Sequence, residues 1–363
     1  MDLKPIVENF QIQGRFIESA PYGTGHINDT YAAYYKTDQG RVRYIHQRIN
    51  NKIFRNVEGL MDNILRVTTH LKNKIVANGG DPDRETLNVV PARDGRPFYQ
   101  TPEGHYWRTY VFIEGAQTYD LVEKPEHVEN AARAFARFHK MLIDIPGERL
   151  VETIPGFHHT RKRFETFSKS LKKDVHNRAQ DVKPEIDFVL SREKDTSVLV
   201  SLIEEGKVSE QIGHNDTKFN NVMIDDQTGQ GICVIDLDTV MPGLFIGDFG
   251  ESVRIMACTA VEDEQNLSKV NLDLDMFKRL ARGYLGIMKD VLTPIEIDHL
   301  VFASKLLTFE NGMRFLTDYL DGDVYFKIHR PSHNIDRCRT QLKMVAEIEN
   351  NVKKMDKILR AYL

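Results

Sequence analysis

Cysteine is scarce in this chain of 363 residues. Only Cys233, Cys258 and Cys338 occur, odd in number and far apart. That excludes a disulfide framework and a Cys-based zinc site, and it fits a reducing, cytoplasmic compartment. Long apolar runs are missing too: none approaches the roughly 20 residues a membrane span requires. The opening MDLKPIVENF carries Asp2, Lys4 and Glu8 and lacks an apolar core, so no signal peptide is expected. Neither charge sign dominates. With 49 Lys and Arg against 53 Asp and Glu the net charge is −4, which offers no basic surface for general nucleic-acid binding. The zinc motif His-Glu-x-x-His and the nucleophile elbow Gly-x-Ser-x-Gly do not occur. The composition, 41% hydrophobic and 28% charged, is that of an ordinary globular protein, long for one core and comfortable for two domains.

The informative stretch is Gly213 to Asp238, GHNDTKFNNVMIDDQTGQGICVIDLD. A polar loop leads into a short apolar run, Val222 to Ile224. A turn with Asp225, Asp226 and Gly229 follows, then a second run from Gly231 to Ile235. Two short β-runs about a glycine-bearing turn predict a hairpin. A hairpin sets the residues before its first strand beside those after its second, so Asp216, Asn221 and Asp236 should converge. Phosphoryl transfer from ATP needs a carboxylate for the acceptor hydroxyl proton and hard oxygen ligands to hold Mg²⁺ on the phosphates. His-x-Asp-x-x-x-x-Asn with a second aspartate at a strand end supplies both. Asp216 is then the candidate base, Asn221 and Asp236 the candidate metal ligands, with Asp238 as alternative to Asp236. Lys218 can offset charge on the moving phosphoryl group. A plain polar turn is the bland reading, and the spacing of a calcium EF-hand loop is absent.

Toward the N-terminus the pattern predicts a short helix over 5–12 and strands near 16–19, 31–35 and 42–49. Gly23-Thr24-Gly25 lies between the first two strands, followed by Asn28. Glycines in such a bend let backbone N–H groups approach phosphates. Val57, Leu60, Met61, Ile64, Leu65, Thr68 and Leu71 repeat at helical spacing over 56–73. Strands are expected near 87–92, 98–101 and 105–113. The period changes at Gly115, which sets a domain boundary between 1–114 and 115–363. A cleft beneath that junction suits an adenine ring held by backbone groups near Tyr110 and Phe112, although Trp107, Tyr110 and Phe112 equally suit a core.

Helices are expected over 125–144, 160–173, 184–193, 195–205, 276–288, 294–320 and 334–363. His139 reads as a packed histidine, and His158-His159 as part of a solvated basic surface. The triplet Asp248-Phe249-Gly250 is too far from Asp216 for one hairpin. Asp248 is expected instead as a helix N-cap that anchors the central loop. Within 294–320, Glu310, Arg314, Thr317 and Asp318 share a polar flank, with Tyr325 following closely. Planar bidentate groups and aromatic faces suit a sugar ring, and Arg314 and Tyr325 are the leading candidates there.

Together HNDTKFNN and VIDLDTVMPG resemble the aminoglycoside phosphotransferase and choline kinase superfamily, which has a protein-kinase-like fold. With YGTGHINDTY, WRTYVFIEG, DFGESVR and GMRFLTDYLDGDVYF the chain is similar, over about residues 20–350, to the N-acetylhexosamine 1-kinase branch. The resemblance implies an α+β, two-lobed fold: a small antiparallel sheet with one helix, then a larger, mostly helical lobe. It implies transfer from ATP, with Mg²⁺, to the anomeric hydroxyl of N-acetylglucosamine or N-acetylgalactosamine by a monomeric enzyme. It places Asp216 as base, Asn221 and Asp236 on magnesium, Gly23 to Asn28 on the nucleotide, and His26, Arg314 and Tyr325 on the sugar. The superfamily's third-strand lysine is missing: the strand reads Tyr44-Ile45-His46-Gln47-Arg48-Ile49. Gln47 or Arg48, on opposite faces, is left to replace it. The alternatives are another acceptor (an aminoglycoside, choline, homoserine or methylthioribose) or a catalytically inactive nucleotide-binding protein.

Overall fold

The computed structural model describes residues 3–23, 25 and 27–363. The architecture is α+β. Six short strands form one antiparallel sheet: β1 Arg15–Pro21, β2 Asp29–Thr37, β3 Gly40–Ile49, β4 Val89–Val90, β5 Tyr99–Gln100 and β6 Tyr106–Val111. Their order is β1-β2-β3-β6-β4, with β5 also on β6. Alternation sorts the side chains of this sheet. Tyr35, Tyr44 and Trp107 close a small core with Leu3, Val7 and Phe10 on one face. On the opposite face Ile45 and Tyr110 pack toward the Val57–Ala77 helix, whose Leu60, Met61, Ile64 and Val67 are buried.

The N-terminal helix is shorter than the expected 5–12. It spans Lys4–Val7, after which Phe10 leaves to form an isolated bridge with Ala92, just past β4.

After β6 the chain enters a second, three-stranded sheet of β7 Ala116–Gln117, β9 Val222–Asp225 and β10 Gly231–Val234. The predicted hairpin is β9–β10, with Val222 opposite Val234. A third pairing joins β8 Gln211–Gly213 to β11 Met241–Gly243. Helices Pro125–Leu142, Phe245–Met256, Leu274–Met288, Leu300–Leu320 and His333–Arg360 carry the main core behind these strands. Gly250 lies where the Phe245–Met256 and Leu300–Leu320 helices cross. A Cβ there would sit 2.5 Å from the Ala303 carbonyl oxygen, so only glycine permits that approach.

Two expectations about helices are corrected. The predicted 294–320 helix is two pieces, Pro294–Asp298 and Leu300–Leu320. A capping box, in which Thr293 and Glu296 bond each other's backbone N–H, starts the first piece, and His299 (ψ +1°) breaks its direction. Asp248 is not an N-cap either. Its helix begins at Phe245 after the cap Leu244, so Asp248 lies inside the first turn. Among the described residues no helix is long and apolar enough to cross a membrane.

Candidate functional site

The hairpin brings its two ends together. The Ile235 N–H donates to the Asn221 carbonyl at 2.9 Å. The Asn221 side-chain amide donates to the Asp216 carbonyl at 2.8 Å and to its carboxylate at 3.3 Å. Lys218 closes on the same carboxylate at 3.1 Å. Burial pushes the Asp216 carboxyl up, but Lys218 and His214 outweigh it and hold the group below the ordinary carboxylate range. The Asp216 partner in turn raises the Lys218 ammonium.

Asp236 stands at the end of β10 with φ +57°, a left-handed conformation that costs a non-glycine residue energy and re-aims its side chain. Its surface is open, yet desolvation by surrounding protein raises the carboxyl to about 7, helped by the charges of Asp238 and Asp216. Three carboxylates thus crowd a region whose cations are Lys218 and Arg108. A divalent ion fits this place chemically: Asp236 is unneutralised, and the Asn221 amide nitrogen points at Asp216, leaving its oxygen free as a hard donor. Among the described residues no cluster of three His, Cys, Asp or Glu could hold a metal.

The loop before the hairpin is fastened from below. Asp248 accepts the His214 and Asn215 backbone N–H groups at 2.6 and 2.8 Å, and the His139 ring meets it at 2.7 Å. His139 is therefore a buried packing and anchoring histidine, as expected. Thr217 donates to the Asp248 carbonyl at 2.6 Å, and the Asn215 side chain donates to Thr239 at 2.9 Å. Asn215 itself has φ +61°.

On the sheet side, register shows which way the two third-strand candidates face. Gln47 stands opposite Thr30 and Arg108. It faces the hairpin, donating to Thr30 and accepting from Arg108 Nε, both at 2.9 Å. Arg48 faces the other way and pairs with Asp29. The Arg108 guanidinium, 1% exposed, forms a buried ion pair with Asp238. Burial alone lowers its pKa, but Asp238 outweighs this and the net direction is up. Asn28 donates to the other Asp238 oxygen at 2.7 Å. Asp238 is thus engaged, which leaves Asp236 as the open carboxylate. Sequence reasoning missed Arg108; its one signal was a charged residue at an inward position of an otherwise apolar strand.

Gly23 has φ +77° in the bend between β1 and β2, and among the described residues nothing lies within 4 Å of where a Cβ would stand at Gly23 or Gly25. Thr24 and His26 lie outside the described residues. Tyr110 is buried in the main core, 5.4 Å below the Arg108 guanidinium carbon. Phe112 is buried under Arg43, and its N–H already donates to the Arg43 carbonyl at 3.3 Å.

Arg314 and Tyr325 fall in one patch with Phe157, Arg163 and Phe326. The Arg314 guanidinium carbon is 5.0 Å from the Phe157 ring and 5.6 Å from that of Phe326, against which Tyr325 packs at 4.8 Å. Two expectations change here. His158 is no solvated surface residue. Its Nδ1 meets Glu310 Oε1 at 2.8 Å and its Nε2 meets the Asn215 carbonyl at 2.9 Å. Both partners are acceptors when Glu310 is ionised, an arrangement that favours the protonated ring. Burial lowers its pKa, but Glu310 and the Asn215 carbonyl reverse the direction. Glu310, expected on a solvated flank, is 0% exposed. Through His158 the patch touches the residue next to Asp216.

Residues 20–282 match the family model described as the phosphotransferase enzyme family. The chain belongs to that family. Its reaction class is accordingly that of a small-molecule kinase. Similar solved structures agree in fold. A microcompartment-associated aminopropanol kinase has a TM-score of 0.58 at 13% identity, with 97% of each chain covered. An amicoumacin kinase in complex with AMP-PNP and Ca²⁺ has a TM-score of 0.59 at 13% identity, covering 94% of this chain and 93% of that one. The choline kinase of Cryptosporidium parvum has a TM-score of 0.54 at 15% identity, with 99% of each covered.

Proposed function

We propose that this family member transfers the γ-phosphoryl group of ATP to the anomeric hydroxyl of an N-acetylhexosamine, giving the sugar 1-phosphate and ADP. The observation that carries the reading is the convergence of Asp216, Asn221, Lys218 and Asp236 at the ends of one hairpin. Asp216, kept ionised, accepts the acceptor hydroxyl proton. Lys218, held 3.1 Å from it, neutralises charge as the phosphoryl group moves. Asn221 and Asp236 would hold Mg²⁺, which would supply positive charge against the phosphates. Residues 1–114 serve the nucleotide: Gly23, Thr24, Gly25 and Asn28 as the phosphate loop, Gln47 on the cleft face of β3, and backbone near Tyr110 and Phe112 for adenine. Residues 115–363 carry the chemistry and the acceptor patch, with His26, Arg314 and Tyr325 on the sugar. The enzyme acts as a cytoplasmic monomer. A structure of similar fold named as a choline kinase makes a cationic acceptor the reading to beat.

The test is ATP-dependent phosphorylation across free hexoses, N-acetylhexosamines, choline and aminoglycosides, with the position of the product phosphate read by ³¹P NMR. Phosphate on C1 of N-acetylglucosamine or N-acetylgalactosamine is the expected product. Exclusive turnover of choline or an aminoglycoside would overturn the sugar assignment, and nucleotide binding without any turnover would overturn the enzyme.

A further inference from the structure

Two arginines share one aromatic ring beside the base. The guanidinium carbons of Arg163 and Arg314 lie 5.9 and 5.0 Å from the centroid of Phe157. Like charges this close are costly unless something compensates them. Among the described residues neither pairs with a carboxylate. Arg163 donates twice to the Phe157 carbonyl, at 2.9 and 2.7 Å, and Arg314 makes one long contact to the Asn311 side chain at 3.4 Å. Burial and the neighbouring Arg314 both depress the Arg163 guanidinium.

The nearby carboxylates have closer partners, and Glu310, whose second oxygen is unpartnered, acts on Arg163 only through its charge, which burial and Arg314 outweigh. Glu310 answers His158 at 2.8 Å. Glu251 pairs with Arg254. Asp318 accepts the backbone N–H groups of Val324, Tyr325 and Phe326, and Asp323 pairs with Arg178. Asp216 is balanced by Lys218. All of Phe157, Arg163, Arg314, Tyr325 and Phe326 keep some solvent-exposed surface, so the patch is open to a ligand.

We infer that Arg163 is a second specificity residue of the acceptor site, and that with Arg314 it reads acceptor oxygen atoms, selecting neutral or anionic acceptors over cationic amines. Guanidinium groups present several N–H donors in a fixed fork and accept nothing, so carbonyl, hydroxyl or carboxylate oxygens complete them. An ammonium group placed there meets two guanidinium groups that no carboxylate pairs directly, and it cannot bond to either. The inference rests on the proposed placement of the acceptor beside Asp216, but it concerns acceptor charge and not sugar identity.

The experiment compares kcat/KM at neutral pH for N-acetylglucosamine, glucosamine, glucuronic acid, choline and 1-amino-2-propanol, in the wild type, Arg163→Gln and Arg163→Lys. The expected wild-type preference for neutral or anionic acceptors over ammonium-bearing ones is about 100-fold, some 2.7 kcal/mol by the tenfold-per-1.36 rule. Arg163→Gln should raise the KM for the preferred acceptor about tenfold, leave the KM for ATP within about twofold, and narrow the discrimination. Arg163→Lys should restore discrimination in part. A cationic acceptor within threefold of the best substrate overturns the inference, as does an Arg163→Gln enzyme with wild-type discrimination. Should Arg163→Gln fail to fold, the wild-type panel and Arg163→Lys still decide. A neutral non-sugar substrate that responds to Arg163 would sink the sugar assignment and leave this inference standing.

Discussion

At the scale of single residues, Asp216 and His158 do different work and should fail differently. Asp216→Asn keeps the size and one acceptor oxygen but removes the proposed base, so kcat should fall about a thousandfold. The KM for ATP should stay close to wild type, because Asn221 and Asp236 are untouched. Turnover within about tenfold of wild type in a stopped assay would move the base elsewhere. His158 and Glu310 form a buried charge pair, and removing one partner strands the other. His158→Leu should therefore cost about 3 kcal/mol in urea unfolding, and the double variant His158→Leu/Glu310→Met less than the two single costs added. The pair has a pH window. The folded pKa of His158 is raised, so its contribution is full below the unfolded imidazole value and fades as pH rises through the folded one. Glu310 is shifted down, burial opposing and His158 prevailing, so its contribution is present above the unfolded carboxylate value and is lost as pH falls through the folded one. Removing the pair should flatten stability at both edges. The convergence of Asp216, Asn221 and Asp236 was legible in the sequence because one hairpin spans them. His158 and Glu310 are 152 positions apart, and local pattern holds no trace of such a pairing.

At the scale of elements, strand and helix periods located nearly every piece, and the errors occur where tertiary packing chose the ending. Nothing in Glu296-Ile297-Asp298-His299-Leu300 marks a break by glycine or proline, so 294–320 reads as one helix. The break comes from the capping box that orients the first turn and the separate demand that Leu300, Ala303 and Leu306 face the core. Asp248 likewise looks like a cap on composition, but its helix begins three residues earlier and sets the carboxylate under the loop. The crossing at Gly250 fixes that helix, and so Asp248, against the Leu300–Leu320 helix. Gly250→Ala should cost about 1–3 kcal/mol, since a backbone carbonyl 2.5 Å away cannot rotate aside as a side chain would. Both the melting temperature and kcat should drop, because the anchor of His214 and Asn215 moves with the helix. A Gly250→Ala enzyme with unchanged kcat would detach Asp248 from loop positioning.

At the scale of the whole molecule, the sheet and the hairpin meet through charge as well as apolar packing. Arg108 of β6 reaches Asp238 beyond the hairpin, 130 positions on, and Asn28 of the glycine-bearing bend reaches the same carboxylate across 210 positions. Asn63 of the Val57–Ala77 helix adds a bond to the Val240 carbonyl at 3.1 Å. A sequence pattern shows that the third strand lacks its lysine, but it cannot show that the neighbouring strand sends a buried guanidinium to the same cleft, because pairing register alone aligns Gln47 with Arg108. This seam joins the proposed nucleotide loop to the carboxylate two residues past Asp236, so breaking it should loosen nucleotide binding along with the fold. Arg108→Met preserves length and apolar stem while leaving Asp238 buried without its cation, at an expected cost of about 3–5 kcal/mol. Saturating Mg·ATP at one hundred times its Kd should stabilise the wild type by about 2.7 kcal/mol. In Arg108→Met the same nucleotide concentration should give less than half of that shift in a thermal melt. Asp238→Asn keeps an oxygen for Arg108 and should fall between the two. An Arg108→Met protein that melts lower yet keeps the full nucleotide shift would make the ion pair a strut between the lobes, with no part in holding ATP.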